Sequence, residues 1–146
     1  RPLERVRWAQ VSETRIDPAE LLAAVSRPEA GAVSLFVGVV RNHDQQAAGE
    51  VVALRYSCHP SAGARIGEIV AEVLAVADPD AECVVAAVHR IGELNVGDNA
   101  FVVAVSAAHR RLAMAVCEQV VEQVKSRLPV WKQQFEADGS YRWSGL

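Results

Sequence analysis

The sequence has little of what marks membrane, secreted or zinc-binding proteins. No apolar run approaches the length that spans a bilayer, and residues 1–4 do not begin a signal peptide. The three cysteines lie far apart and fit neither a disulfide framework nor a zinc-binding spacing: Cys58, Cys83 and Cys117. We therefore expect free, buried thiols in a cytoplasmic protein.

Common catalytic and cofactor motifs are also lacking. The glycines form no Walker or dinucleotide-binding loop, and there is no GxSxG nucleophile elbow. The histidines are scattered, with no HExxH pair and no carboxylate at ligand spacing: His43, His59, His89 and His109. We expect neither a metal site nor a cofactor. Cys117 falls on the apolar face of a helical pattern, so packing is favoured over a nucleophilic role.

A generally basic surface is missing as well. The formal net charge of -3 argues against a general nucleic-acid binder, so any anion site must be local. Hydrophobic residues make up 51% of the 146 positions. This is enough for one domain, residues 1–146, that buries roughly two-thirds of its unfolded surface.

Hydrophobic periodicity predicts an α+β domain with a mostly antiparallel sheet. Strand-like segments recur in adjacent pairs, interspersed with three helical segments. The predicted strands cover 6–16, 32–40, 51–58, 83–88, 101–105 and a hairpin at 130–135 and 141–143 around Asp138-Gly139. Asp17-Pro18 is typical of a helix start, and a second helix follows Pro60.

The run at 32–40 is nearly continuous in apolar and β-branched residues. This predicts a strand covered on both faces. Gly38 within it indicates a bulge or a close approach of another backbone or a ligand. Arg41 comes directly after the run, where it either belongs to a structural turn or presents its guanidinium to a phosphate.

Residues 99–132 form the stretch around which we expect the rest to be organised. Leucine and valine recur every four residues from Leu112 to Leu128, which predicts a core helix ended by Pro129. His109 and Arg110 fall within the same arc at about 100° per residue. They are therefore expected to face the body of the protein or a partner.

The start of this helix carries the wrong charge for its dipole. His109, Arg110 and Arg111 stand where acidic neighbours are preferred, and a bound phosphate would reconcile them with the helix end. The alternative is that Ser106 caps the helix and the arginines reach surface carboxylates.

Two lysines flank the other end of the helix. Lys125 lies at the margin of the apolar arc and Lys132 just beyond the break. Either they extend into solvent, or they enter a partly dry pocket where one can act as a proton donor, a base or a nucleophile. Together with Arg41, His109 and Arg110 they suit an anionic substrate, and we expect the set to converge at the start of the helix.

Four ordered motifs resemble the large, catalytic subunit family of molybdopterin synthase, over about residues 31–143. They are FVGVVRNH at 36–43, HRIGEL at 89–94, AHR at 108–110 and KSRLPVWK at 125–132. The resemblance implies an α/β hammerhead-like fold with an additional antiparallel sheet. It also implies an enzyme that converts cyclic pyranopterin monophosphate (precursor Z) into molybdopterin by installing a dithiolene.

The resemblance further implies partners. In the family, sulfur arrives as a thiocarboxylate on the C-terminal Gly-Gly of a small ubiquitin-like subunit, whose tail enters a pocket of the large subunit. Two large subunits form the central homodimer of a heterotetramer. Neither nucleic acid nor a membrane is expected as a partner.

Residue roles follow from the matching motifs. Lys125 would be the principal catalytic residue, and Lys132 would assist it. The remaining residues would bind substrate: Arg41, His109 and Arg110 hold its phosphate and pterin, and Val39, Val40, Gln133, Gln134 and Arg142 complete the set. Trp131 would pack beneath the lysines. Many relatives have Lys or Arg and then Glu at the positions of Gln133-Gln134, which alters the contacts near Lys132.

Two other classes of function remain open at this point. One is a non-catalytic dimeric module that binds a phosphate or a nucleotide. The other is an oligomerisation domain that is fused or bound to another cofactor enzyme.

Overall fold

The computed structural model describes residues 4–42 and 50–145, so His43 and the loop that leads to Glu50 lie outside the described residues. The described chain forms eight strands and three helices. In chain order they are β1 Val6–Ser12, α1 Pro18–Val25, β2 Ala32–Val39, β3 Val51–Cys58, α2 Ala62–Ala77, β4 Val84–Arg90, β5 Gly92–Asn95, β6 Asn99–Ala107, α3 Arg110–Arg127, β7 Val130–Glu136 and β8 Tyr141–Gly145.

The strands assemble into two four-stranded sheets. The first sheet has the order β1-β4-β6-β2 and the second β5-β3-β7-β8. The β1–β4 pair is parallel, and the other described pairs are antiparallel. This confirms the predicted α+β class with mostly antiparallel pairing.

Helices cover the two faces of the first sheet. Helices α2 and α3 pack on one face, and α1 packs on the other against β4 and β6. Strands β4 and β6 are buried almost throughout because they lie in the middle of this sheet and are covered on both sides. The larger core continues from the α2–α3 face to the second sheet through Leu54, Tyr56 and Leu94.

Strand β2 differs from the prediction of two covered faces. It is an edge strand, and Val33 and Leu35 are 43% and 40% exposed. Helix α1 lies mainly over the central strands, so the outward side chains of β2 stay uncovered. The predicted irregularity at Gly38 is confirmed, since the β2–β6 register shifts between Gly38 and Val39.

Local signals at the element ends are mostly confirmed. The side chain of Asp17 accepts a hydrogen bond from the N–H of Ala19 and caps α1, with Pro18 in the first position. Helix α3 ends before Pro129, and Gly139 adopts φ +89 in the β7–β8 hairpin. The alternative in which Ser106 caps α3 is wrong, because Ser106 is buried within β6 and the N-cap residue is His109.

Helix α3 buries the predicted apolar arc. Its buried residues are Ala113, Val116, Cys117, Val120, Val121 and Val124. Burial raises the pKa of the Cys117 thiol, in agreement with a packing role. In contrast, His109 and Arg110 are exposed and do not face the body of this chain. No helix within 4–42 and 50–145 is long and apolar enough to cross a membrane.

Candidate functional site: a pocket containing both lysines

A pocket of about 260 Å³ lies where the end of β2, the second sheet and the C-terminal turn of α3 meet. We call it the lysine pocket. Its lining residues are Val39, Val40, Arg41, Val51, Leu54, Tyr56, Lys125, Lys132 and Gln134. Six of the ten residues predicted for the site are therefore brought together.

The chain has thirteen arginines but two lysines, and both lysines line this pocket. Lys125 extends from the last turn of α3, and Lys132 projects from β7, half-buried and opposite Tyr56 in the β3–β7 pair. Pro129 lies between them and ends the helix, so the chain reverses into β7 and returns the second ammonium group to the same place. The two lysines are thus neighbours in space as well as in sequence.

The third cation, Arg41, is positioned by the irregular end of β2. The N–H of Val40 donates to the carbonyl of Asp98 at 2.9 Å, and the N–H of Gly97 donates to the carbonyl of Val40 at 2.8 Å. The turn between β5 and β6 therefore holds the backbone immediately before Arg41. Valine side chains at 39 and 40 form the apolar rim beside it.

Strand alternation separates the side chains of β7. Because successive side chains point to opposite faces, Lys132 and Gln134 face the pocket while Trp131 and Gln133 face the other side. Gln133 does not line the lysine pocket, and its role in binding substrate stays a prediction. Trp131 is 48% exposed and does not pack beneath the lysines.

The side chain of Gln134 is fully buried, and one of its two polar atoms has no hydrogen-bond partner among the described residues. Its Nε2 donates to Ser144 Oγ at 3.3 Å, whereas its Oε1 has no hydrogen-bond partner among the described residues. A buried carbonyl oxygen without a partner costs free energy, and such groups are rare in folded proteins. Gln134 therefore adds a neutral hydrogen-bonding group to a wall that also contains cationic and apolar side chains and Tyr56.

Arg142 does not line the pocket. It lies opposite Gln134 in the β7–β8 pair, but its Nε donates to Glu136 Oε1 at 3.4 Å. Glu136 is buried and also accepts a hydrogen bond from Ser140 Oγ at 2.6 Å. The guanidinium is therefore directed along the hairpin, away from Lys132.

His109 and Arg110 lie at the opposite end of α3. Fifteen residues separate Arg110 from Lys125, which is about 23 Å along the helix axis at 1.5 Å per residue. The predicted convergence at the helix start is therefore wrong for a single chain, since the pocket lies at the helix end. His109 is the N-cap residue without a side-chain capping bond, and the first turn has no acidic residue.

An aromatic wall supports the pocket from the core side. The Tyr56 and His89 rings meet edge to face, with centroids 5.1 Å apart, and His89 stacks on Phe101 at 5.3 Å. Burial lowers the pKa of His89 to about 4, and the nearby charge of Lys125 acts in the same direction. The imidazole is therefore neutral near pH 7, and its Nδ1–H donates to the carbonyl of Arg90 at 2.7 Å.

The pocket also contains Val51, Leu54 and Tyr56, which no sequence motif marks as site residues. The alternation of β3 was the available signal, because Leu54 and Tyr56 share a face and β7 pairs with that strand. Without the pairing of β3 with β7, however, nothing in the sequence links this face to the lysines. The described residues contain no group of three or more His, Cys, Asp or Glu side chains that could hold a metal ion.

The arrangement has a clear chemical character. Three cationic side chains from separate segments surround a small, partly apolar space, which favours a compact anion that also has an apolar or planar part. Fold and pocket thus define the protein as a two-sheet α+β protein with a cationic, lysine-containing pocket.

Comparison with known proteins then gives the family. The MoaE protein family matches residues 11–127, and the chain belongs to it. Molybdopterin synthase catalytic subunit 1 of Mycobacterium tuberculosis is 35% identical over 139 residues, which cover 94% of this chain and 90% of that protein.

Solved structures agree with this assignment. Molybdopterin synthase from Staphylococcus aureus superposes with a TM-score of 0.80 at 26% identity, covering 94% of this chain and 96% of that one. The same fold occurs in a complex of subunits 1 and 2 of the molybdopterin-converting factor from Helicobacter pylori, with a TM-score of 0.68 at 21% identity, over 97% and 90% of the two chains.

Proposed function

We propose that this protein is the catalytic subunit of molybdopterin synthase. It transfers sulfur from the C-terminal thiocarboxylate of a small ubiquitin-like subunit to precursor Z and so forms the molybdopterin dithiolene. The observation that carries the proposal is the lysine pocket, in which Arg41, Lys125 and Lys132 meet from three separate segments. Membership in the MoaE family supports the same reaction.

The pocket chemistry suits both reactants. A thiocarboxylate and a cyclic phosphate are anions, and cations placed where charge develops lower the barrier of a transfer reaction. A Gly-Gly end has no side chains, so it can enter a narrow pocket and bring its sulfur to the lysines. Val39 and Val40 provide an apolar rim against which a planar pterin can lie.

Lys125 is the principal catalytic residue in this proposal. The thiocarboxylate sulfur attacks a side-chain carbon of the precursor and displaces an oxygen there, either the phosphate oxygen as the cyclic phosphate opens or water, and Lys125 moves protons or bonds transiently to the intermediate. Water then hydrolyses the resulting thioester, so the sulfur stays on the pterin side chain and the small subunit is released as a carboxylate. Lys132 and Arg41 offset charge as the cyclic phosphate opens. Two sulfurs are needed, so a spent small subunit must leave before a second one binds, and docking must be exchangeable.

A second copy of the chain completes the site in this proposal. His109 and Arg110 are exposed and lie about 23 Å from Lys125 along the helix axis, and the side chain of His109 makes no capping hydrogen bond within the described chain. In a homodimer the start of one α3 can approach the pocket of the other copy and supply these cations to the substrate phosphate. The homodimer then forms the centre of a heterotetramer with two small subunits.

The decisive experiment uses Lys125→Ala and Lys125→Arg proteins supplied with the thiocarboxylated small subunit and precursor Z. Both variants are expected to lose dithiolene formation, because arginine keeps the charge but does not give up its proton. Binding of precursor Z should survive better in Lys125→Arg than in Lys125→Ala. Undiminished product formation by Lys125→Ala would refute the catalytic role of Lys125.

A further inference from the structure

Tyr56 is the one hydroxyl-bearing side chain among the described residues that line the lysine pocket. We propose that Tyr56 is a further catalytic residue, whose hydroxyl donates a hydrogen bond to an anionic oxygen of the group held between Lys125 and Lys132. This assignment rests on the proposed function, since it adds a contact to the same site.

The strand pairing places Tyr56 beside the chemistry. Tyr56 and Lys132 are directly opposite each other in the β3–β7 pair, and residues paired in this way have Cβ atoms about 5 Å apart. Tyr56 is 9% exposed and belongs to the core cluster, so the ring body is buried. Because Tyr56 also lines the pocket, its polar tip belongs on the pocket side in this proposal, with the apolar ring in the core.

The ring is held in place from behind. His89 meets it edge to face at an interplanar angle of 83°, and His89 is fixed in turn by stacking on Phe101 and by the hydrogen bond to the carbonyl of Arg90. A donor whose position is set before the substrate arrives stabilises developing charge without reorganisation. Because the supporting imidazole is neutral, it adds no further positive charge behind the wall.

A neutral donor contributes something that the cations do not. Lysine ammonium groups attract an anion from many directions, whereas a single hydroxyl on a fixed ring selects one position for the accepting oxygen. The oxygen belongs either to the thiocarboxylate end of the small subunit or to the phosphate of precursor Z. Both offer the same accepting chemistry, and the binding measurements below distinguish them.

The test is Tyr56→Phe, which removes the hydroxyl and keeps the buried ring. The sequence provides a matched control, since its other tyrosine, Tyr141, is 57% exposed, packs beside Phe135 and lies outside the pocket lining. A hydrogen bond to a charged group is worth about 10- to 100-fold in rate when it is lost. We expect Tyr56→Phe to slow single-turnover dithiolene formation by that factor, and Tyr141→Phe to stay within about twofold of the wild type.

Two binding measurements accompany the rates. One uses a small subunit that ends in an ordinary carboxylate, and the other uses precursor Z alone. A weaker Kd of Tyr56→Phe for one of them identifies the source of the oxygen. A rate within about twofold of the wild type with both Kd values unchanged overturns the proposal, as does an equal loss in Tyr141→Phe. If the wild type itself forms no dithiolene, the proposed function fails instead.

A second variant keeps the test valid if Tyr56→Phe is poorly folded. In the Tyr141→Phe background, 3-fluorotyrosine enters only at position 56 and makes that phenol more acidic. The alkaline limb of the pH–rate profile should then move to lower pH, because a phenolate cannot donate. The other charged or titratable groups at this wall are unchanged by the label: His89, Lys132, Lys125 and Arg41. An unchanged profile also overturns the proposal.

Discussion

Mixing Lys125→Ala protein with His109→Ala protein is expected to restore activity that neither variant has alone. Within one chain the two ends of α3 are about 23 Å apart along the helix axis, farther than the side chains can span. A pocket that uses both residues must take His109 from a second copy. In a mixed dimer one pocket then lacks both residues and the other has both. Random exchange makes half of the dimers mixed, so about one quarter of wild-type activity returns.

The assay is single-turnover dithiolene formation after subunit exchange, with dimer formation checked by sizing and exchange checked by mass spectrometry of tagged copies. The matched control mixes Lys125→Ala with Lys132→Ala. These residues line the same pocket, so every mixed dimer still has one defect in each pocket and no activity returns. Verified exchange without recovery in the first mixture, or equal recovery in both, would refute the shared site.

Three further changes test the structural reasoning. Burial opposes ionisation of Asp78, but hydrogen bonds from two N–H groups and an arginine lower its pKa overall. Asp78→Asn should therefore lower the free energy of unfolding in urea by about 2 kcal/mol at pH 7. The difference should shrink as the pH falls below the ordinary aspartate range, because the wild type loses this stability there. Gly31→Ala should lower the Tm, because its Cβ would lie 2.6 Å from the carbonyl oxygen of Ala108, whereas Gly67→Ala, in open space within α2, should stabilise by about 1 kcal/mol; equal effects would contradict this. Burial raises the pKa of the Cys83 thiol to about 12, so iodoacetamide should label it only after unfolding, and rapid labelling of the native protein would count against the buried thiol.

Much of the fold follows from local rules that the sequence makes visible. The four-residue repeat of α3 predicts its buried face, and Pro129 predicts its end. The glycine at position 139 predicts the last hairpin. The prediction that both faces of β2 are covered is wrong. An apolar run shows that a strand can be buried, but the place of the strand at a sheet edge depends on which strands pair.

The site was less accessible to sequence reasoning. The sequence predicts a set of five cations from different segments, Arg41, His109, Arg110, Lys125 and Lys132, and the structure brings Arg41, Lys125 and Lys132 together in one chain. The side of the strand on which Gln133 lies depends on the start of β7, which single-sequence patterns do not fix. In the proposed function His109 acts in the pocket of a second copy, and contacts between copies leave no periodic signal in one sequence.

The alternation of β7 makes the pocket sensitive to chain length between the helix break and Lys132. Deleting one residue there, for example Pro129, would turn each following side chain of β7 to the opposite face of the sheet. The surface that now presents an ammonium group and an amide, from Lys132 and Gln134, would then present the amide of Gln133 and the ring of Phe135. The loss of a single codon would thus exchange the pocket-facing and the outward-facing side chains of β7, although the strand would keep nearly the same residues.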